Sequence, residues 1–170
     1  MPISLHAATI PSYLQLIGSA KAWLDKAEAS ELGEEAICNA RLAEDMLPLC
    51  YQVKSMTVHS MGAIEGVRGG AFAPDMSDPP STFAGLRARL DEAESFLSAV
   101  TVEEMESFIG RDMYFEIPRF DIRMEFDAET FLLTFSQPNF YFHSTAAYAI
   151  LRHLGLEVGK RDYLGALRLR

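Results

Sequence analysis

The stretch that decides the fold is residues 138–155, which read PNFYFHSTAAYAILRHLG. It is apolar almost throughout, and Pro138 stands where a helix tolerates proline best, in the first turn. Asn139 and His143 are four residues apart, so in a helix both side chains lie on one face. The stretch therefore predicts a largely buried helix that carries a polar pair.

Three further segments have apolar residues at helical spacing. Ser4 is the predicted cap of the first, and Asp45 is the predicted N-cap of the second, with Pro48 in its first turn. The third begins after Ser81 or Thr82. These helices are predicted to span about residues 4–29, 45–69 and 81–100. Together with the helix at 138–155 they predict an all-α, up-down four-helix bundle.

Residues 113–126, MYFEIPRFDIRMEF, have a different pattern. Apolar and charged side chains alternate there with a period of two, which is typical of a strand. Pro118 interrupts the alternation in the middle. We predict a small hairpin or extended excursion at 113–126, inserted in a single helical domain of residues 1–170.

Composition argues against several classes of function. The net charge of −9 argues against nucleic acid and anionic membranes as partners, because both are bound mainly through Lys and Arg. No run of residues is apolar for long enough to cross a membrane. Two cysteines, Cys38 and Cys50, are too few for a disulfide-built domain, and residues 1–18 make a poor signal peptide. These features predict a protein of the reducing cytoplasm.

His59 lies on the flank of the second helix, and we expect it to face Asn139 and His143. Imidazole nitrogen binds zinc and nickel well, whereas an Asn carbonyl oxygen is a weaker ligand. Three protein ligands and one open position are typical of a catalytic metal. The alternative interpretation needs no metal. Asn139 then bonds to free backbone N–H groups of the first helical turn, and the histidines are hydrogen-bonded core residues.

Four separated motifs carry a family resemblance: SLHAATIPSYL at 4–14, RLAEDMLPL at 41–49, residues 138–155, and GKRDYLG at 159–165. Together they resemble an uncharacterised domain-of-unknown-function branch of the DinB/YfiT-like superfamily. The resemblance implies a four-helix bundle and, in many members, a metal-dependent enzyme that uses low-molecular-weight thiols. The implied ligands are one histidine from the second helix and an HxxxH pair at the start of the last helix. His59 and His143 match two of them, and Asn139 stands at the third.

Two functional hypotheses follow. In the first, His59, Asn139 and His143 hold a divalent ion, zinc or nickel, for thiol transfer or hydrolysis on a small molecule. In the second, the protein is a non-catalytic bundle that dimerises or binds a small apolar ligand. A homodimer suits both hypotheses, with Trp23 and the aromatic residues of the last helix as the predicted contact.

Overall fold

Long helical segments make up most of the computed structural model, which describes residues 3–169. Three short strands, which form one small sheet, lie between helices along the chain. The helices are α1 (Leu5–Glu28), α2 (Glu34–Asn39), α3 (Leu49–Thr57), α4 (Ala63–Gly69), α5 (Phe83–Ala99), α6 (Val102–Glu106), α7 (Ala128–Thr130), α8 (Gln137–His153) and α9 (Lys160–Leu164). The strands are β1 (Ala71–Phe72), β2 (Asp112–Ile117) and β3 (Ile122–Asp127).

The starts of two long helices follow ordinary capping chemistry. The Ser4 hydroxyl accepts a hydrogen bond from the Ala7 amide at 3.0 Å, and α1 begins at the next residue. The Thr82 hydroxyl caps α5 in the same way, from the Gly85 amide at 3.1 Å. Both helices therefore begin where the sequence predicts.

The predicted start of α3 is wrong. Asp45 does not cap the helix, because it lies in a turn closed by a hydrogen bond from the Met46 amide to the Ala43 carbonyl. The helix begins at Leu49, directly after Pro48. A hydrogen bond of 2.9 Å from the Leu49 amide to the Ala40 carbonyl ties this helix start to the end of α2.

Two π-helical segments interrupt the regular helices. Residues 58–62 form one between α3 and α4, and residues 131–136 form the other between α7 and α8. The second ends just before Pro138, which has no amide hydrogen to continue an α-helical ladder. The two segments touch, because the Ser136 hydroxyl donates a 2.8 Å hydrogen bond to the His59 carbonyl. Such wide turns are frequently found at functional sites.

The helices pack in pairs around one apolar core. Helix α1 packs along α5, and α3 packs along α8. Trp23 lies inside this core with 1% of its surface exposed. Its indole N–H donates to the Asp162 carbonyl at 3.0 Å, and its ring stacks on Tyr163. The prediction that Trp23 forms part of a dimer contact is therefore wrong, because its whole side chain is used within the chain.

The sheet has three strands in the order β1-β2-β3. Strand β1 is parallel to β2, and β2 is antiparallel to β3, with Phe115 opposite Met124. The hairpin predicted at 113–126 is confirmed. The predicted all-α class is too narrow, because two residues of β1 add a third strand. The fold is mostly helical with a small sheet, and the up-down order of four bundle helices stays a prediction.

Within residues 3–169, no helix combines the length and the hydropathy that crossing a bilayer requires.

Candidate functional site

His59 occupies the π-helical segment at 58–62 and is 8% exposed. Its ring packs between two phenylalanines, with ring-centre distances of 5.7 Å to Phe72 and 6.1 Å to Phe135. Its Nδ1 atom is fully buried and has no hydrogen-bond partner among the residues described. A buried polar atom without a partner destabilises the folded state by about 1–3 kcal/mol, and this nitrogen is such an atom.

His143 lies on α8 and is oriented by a residue of α3. Its Nδ1 atom is 2.7 Å from the side-chain oxygen of Gln52. The amide nitrogen of Gln52 donates to the Leu47 carbonyl at 2.8 Å, which fixes which end of the amide faces the histidine. Because that oxygen can only accept, Nδ1 of His143 carries the proton. Its Nε2 atom therefore presents a lone pair.

The packing of α3 against α8 brings the two histidines together. Their ring centres are 5.5 Å apart and their planes differ by 13°. A metal ion lies about 2.0–2.1 Å from a bound imidazole nitrogen, hence roughly 3 Å from the ring centre. Two rings that share an ion are therefore no more than about 6 Å apart, and the observed distance meets this condition. An ion also lies in the plane of each ring that binds it, so these near-parallel rings would have to rotate to share one. Whether these residues hold a metal stays a prediction.

Both histidines are neutral at pH 7. Burial, and secondarily the charge that His143 can carry, lower the pKa of His59 to about 3. Burial lowers the pKa of His143 to about 4. Neutral imidazole is the form that binds a metal, so neither ring must lose a proton first.

Asn139 lies one helical turn before His143 on α8. Its side-chain nitrogen donates a 2.7 Å hydrogen bond to the Phe135 carbonyl. The alternative interpretation had this side chain accepting from free backbone N–H groups, and that part is wrong. The chain just before α8 is itself helical, so those N–H groups are not those of a free helix end. The amide nitrogen is engaged, and the amide oxygen is the atom left to bind a ligand.

In the described part of the chain, acidic and cysteine side chains do not join the histidine pair to form a metal-binding group. Over residues 3–169, no group of three or more His, Cys, Asp or Glu side chains is placed to bind a metal ion. Cys50, on the first turn of α3, is buried and reduced, as is Cys38. Any third protein ligand beside the two histidines would have to be a neutral oxygen such as that of Asn139.

Gln52 and Ser136 contact the histidine pair but were not predicted from the sequence. Gln52 is seven residues before His59, a spacing that places both on one face of a helix, so this signal was available. Ser136 bonds to the backbone of His59, and backbone contacts leave no signal in the sequence.

Comparisons with known proteins agree with this fold. The family model "Domain of unknown function (DUF1993)" matches residues 5–164. A crystal structure of a DinB family member from Shewanella denitrificans is 28% identical, with a TM-score of 0.82. The alignment covers 98% of this chain and 94% of that one. No curated protein matches. The chain belongs to the DUF1993 family, whose function is unknown, and it is a DinB-like protein.

Proposed function

We propose that His59 and His143 bind one divalent cation, zinc or nickel, and that the bound ion serves thiol transfer or hydrolysis on a small molecule. The observation that carries the proposal is the pair of neutral imidazoles with ring centres 5.5 Å apart. They come from two different helices, and one has a buried nitrogen without a partner. Burying such a pair without a ligand is costly, and a cation would satisfy it.

The donor set fits a weakly held catalytic ion. Two imidazoles and the amide oxygen of Asn139 are three neutral ligands, which leaves a position open for water or substrate. They do not offset the charge of the ion, so the bound ion would strongly lower the pKa of a coordinated water or thiol. Affinity is expected to be lower than that of a site with three histidines.

The residues around the pair have their own roles in this proposal. Gln52 holds the proton on Nδ1 of His143 and so directs Nε2 toward the ion. Phe72 and Phe135 cover His59 and exclude water from its inner side. We also propose a cytoplasmic location. A thiol substrate and two free cysteines both suit a reducing compartment.

A second candidate is a non-catalytic protein that binds a small apolar ligand. The observation that favours it is the hydrogen bond from Asn139 to Phe135, which ties the third predicted ligand to its own helix. Aromatic rings also surround His59, with Phe115 packed on both Phe72 and Phe135. An apolar molecule would find these rings at the edge of the site.

Elemental analysis of tag-free protein, together with titration by zinc, nickel and the spectroscopic probe cobalt, tests the first candidate. We expect one ion per chain and cobalt absorption bands typical of nitrogen ligands. Both should disappear in a His59→Ala, His143→Ala double variant. His153→Ala is the matched control, because His153 is exposed on the same helix. Absence of metal uptake by the folded parent protein would reject the metal site and leave the apolar-ligand candidate.

A further inference from the structure

Strand β3 forms a free edge of the sheet. It pairs with β2 on one side, and no strand in the described part of the chain lies on the other. Two of its three apolar side chains are exposed, since Ile122 is 40% exposed and Met124 is 39% exposed, while Phe126 packs on Phe131 and Phe135. An exposed edge with apolar side chains is a template for pairing with another strand.

The hydrogen bonds of the hairpin show which N–H and C=O groups of β3 point toward β2 and which point away from it. The Ala128 amide donates to the Arg111 carbonyl at 2.9 Å, which fixes the alternation along β3. Alternate residues bond to β2, and those between them direct N–H and C=O away from it. The residues directed outward are Arg123, Glu125 and Asp127.

The side chains of β3 divide into a charged face and an apolar face. Arg123 lies over the ring of Tyr114, 3.7 Å from its centre, and its Nε atom is 3.4 Å from Glu125. Ile122, Met124 and Phe126 alternate with these charges and lie on the other face. That face continues the one on which the buried Phe115 of β2 lies.

We propose that two copies of this chain pair antiparallel through β3, with the two-fold axis at Met124. This register places Arg123 opposite Glu125 of the partner subunit, and the symmetry repeats the pair. Ile122 then lies opposite Phe126 of the partner subunit, so residues 122–126 are complementary. Asp127 would lie opposite Asp121 of the partner subunit, which precedes the strand, and this end of the contact is unfavourable. The two sheets would become one continuous sheet across the dimer.

Charge selects this register over its neighbours. Moving the axis by one residue toward Glu125 places two glutamates opposite each other, and moving it toward Arg123 places two arginines opposite each other. Like charges directly opposite destabilise a strand pair. Asp121, with φ of 53°, ends the strand at the tip, so the paired segment is short. The dimer is therefore expected to depend on protein concentration.

A second copy is the occupant that this edge fits best. With the two-fold axis at Met124, the positive Arg123 of each copy lies opposite the negative Glu125 of the other copy. An unrelated extended peptide would need a matching pattern of charges of its own. Binding of other peptides at the same edge is the competing outcome. Metal binding at His59 and His143 is independent of this proposal.

Sedimentation velocity over a concentration series tests the dimer by charge reversal. We expect the parent protein to shift from monomer to dimer as concentration rises. Arg123→Glu and Glu125→Arg should each remain monomeric, because each places like charges opposite one another. The double variant Arg123→Glu, Glu125→Arg should dimerise again. A parent protein that stays monomeric up to its solubility limit, or a double variant without recovery, would overturn the proposal.

A proline provides a second test through the backbone. The Glu125 amide points away from β2, so Glu125→Pro removes an edge donor and keeps the hairpin ladder. We expect loss of the dimer with an unchanged circular dichroism spectrum. Hydrogen exchange of the Arg123 and Glu125 amides in the parent protein should slow with concentration. A dimer that persists in Glu125→Pro, with fast exchange at these amides, would place the contact elsewhere and contradict the proposal.

Discussion

Lys54 and His59 are two buried polar residues in the same helical run, and their surroundings are opposite. The Lys54 ammonium, 1% exposed, donates to the Asp75 carbonyl, the Ser77 carbonyl and the Ser77 hydroxyl at 2.6–3.0 Å. It also lies 3.1 Å from the Asp75 carboxylate. His59 has a buried nitrogen with no partner in the described chain. The ammonium of Lys54 has an acceptor for each of its protons, whereas Nδ1 of His59 has no hydrogen-bond partner within residues 3–169.

The contacts of Lys54 indicate a structural role, whereas the functional role of His59 is our proposal. Lys54 fastens the loop that follows β1 to α3, and every proton of its ammonium is used. Burial would raise the pKa of Asp75, but the hydrogen bonds from Ser77 and Lys54 lower it to about 2. A buried group that is complete within the chain needs no ligand. A buried group without a partner among the described residues, such as Nδ1 of His59, is where we propose that a ligand binds.

The largest effect is expected for Lys54→Met, which should destabilise the fold by about 1–3 kcal/mol. The loop carbonyls of Asp75 and Ser77 lose their donor, whereas the Asp75 carboxylate is 35% exposed and stays solvated. Urea unfolding measures the change. Lys21→Met is the matched control, because Lys21 pairs with Asp91 and Glu94 at the surface. That control should lose less than about 1 kcal/mol. Equal losses in the two variants would contradict the structural role of Lys54.

The next effect concerns metal affinity. Gln52→Leu should weaken zinc binding by about 10- to 100-fold, because His143 loses the partner that holds its Nδ1 proton. Isothermal titration of the folded variant measures this. Gln137→Leu, which removes a glutamine bonded to Tyr141 and the Ala8 carbonyl, is the control and should leave affinity unchanged. Unchanged affinity in Gln52→Leu would show that Gln52 does not orient a ligand.

His59→Phe should stabilise the protein by about 1 kcal/mol at pH 7 and abolish metal binding. The phenyl ring keeps the contacts with Phe72 and Phe135 and removes the buried nitrogen without a partner. Thermal unfolding without added metal gives the stability. A loss of stability instead would show that the nitrogen has a partner in solution.

The same variant has a defined pH dependence. The pKa of His59 falls from 6.5 to about 3 on folding, so below pH 6.5 the unfolded chain binds a proton that the folded chain does not. Parent stability is therefore complete above pH 6.5 and declines as pH falls toward 3. The slope contributed by His59 approaches ~1.4 kcal/mol per pH unit. His59→Phe should have a flatter curve in this window, and identical curves would contradict the buried, neutral state.

The smallest effect is expected for Ser136→Ala. It removes the 2.8 Å hydrogen bond to the His59 carbonyl and should cost about 1 kcal/mol. Because this bond joins the two π-helical segments, the variant should also bind zinc somewhat less tightly than Ser144→Ala. Ser144 is a matched control, since its hydroxyl bonds within α8 and to Tyr163. Equal zinc affinity in both variants would show that the bond does not position His59.

Much of the fold was predictable from local patterns. Capping by Ser4 and Thr82 and the alternation in 113–126 are short-range signals, and each corresponds to an element of the structure. Strand β1 has only two residues, too few for a period to be seen. Asp45 has the chemistry of a cap, but it lies in a local turn closed between Met46 and Ala43, and the helix begins only after Pro48.

The site was predictable only in part. His59 and His143 were singled out by residue type and by family resemblance, and the packing of α3 on α8 brings them together. The role of Gln52 depends on the orientation of one side chain, which spacing alone does not fix. Lys54 was not singled out from the sequence, and nothing in the sequence indicates the loop carbonyls that surround it.

The π-helical segment at 58–62 has a consequence for how this chain tolerates changes in length. A π-turn holds one residue more than an α-turn, and each residue advances a helix by about 100°. Deleting one residue here would allow a regular helix with excellent local geometry. The wide turn absorbs its extra residue within itself, so α4 would keep nearly the same rotation relative to α3, but His59, which lies in that turn, would move out of line with His143. The helix would survive such a deletion while the histidine pair was lost, so the site depends on the number of residues in this turn.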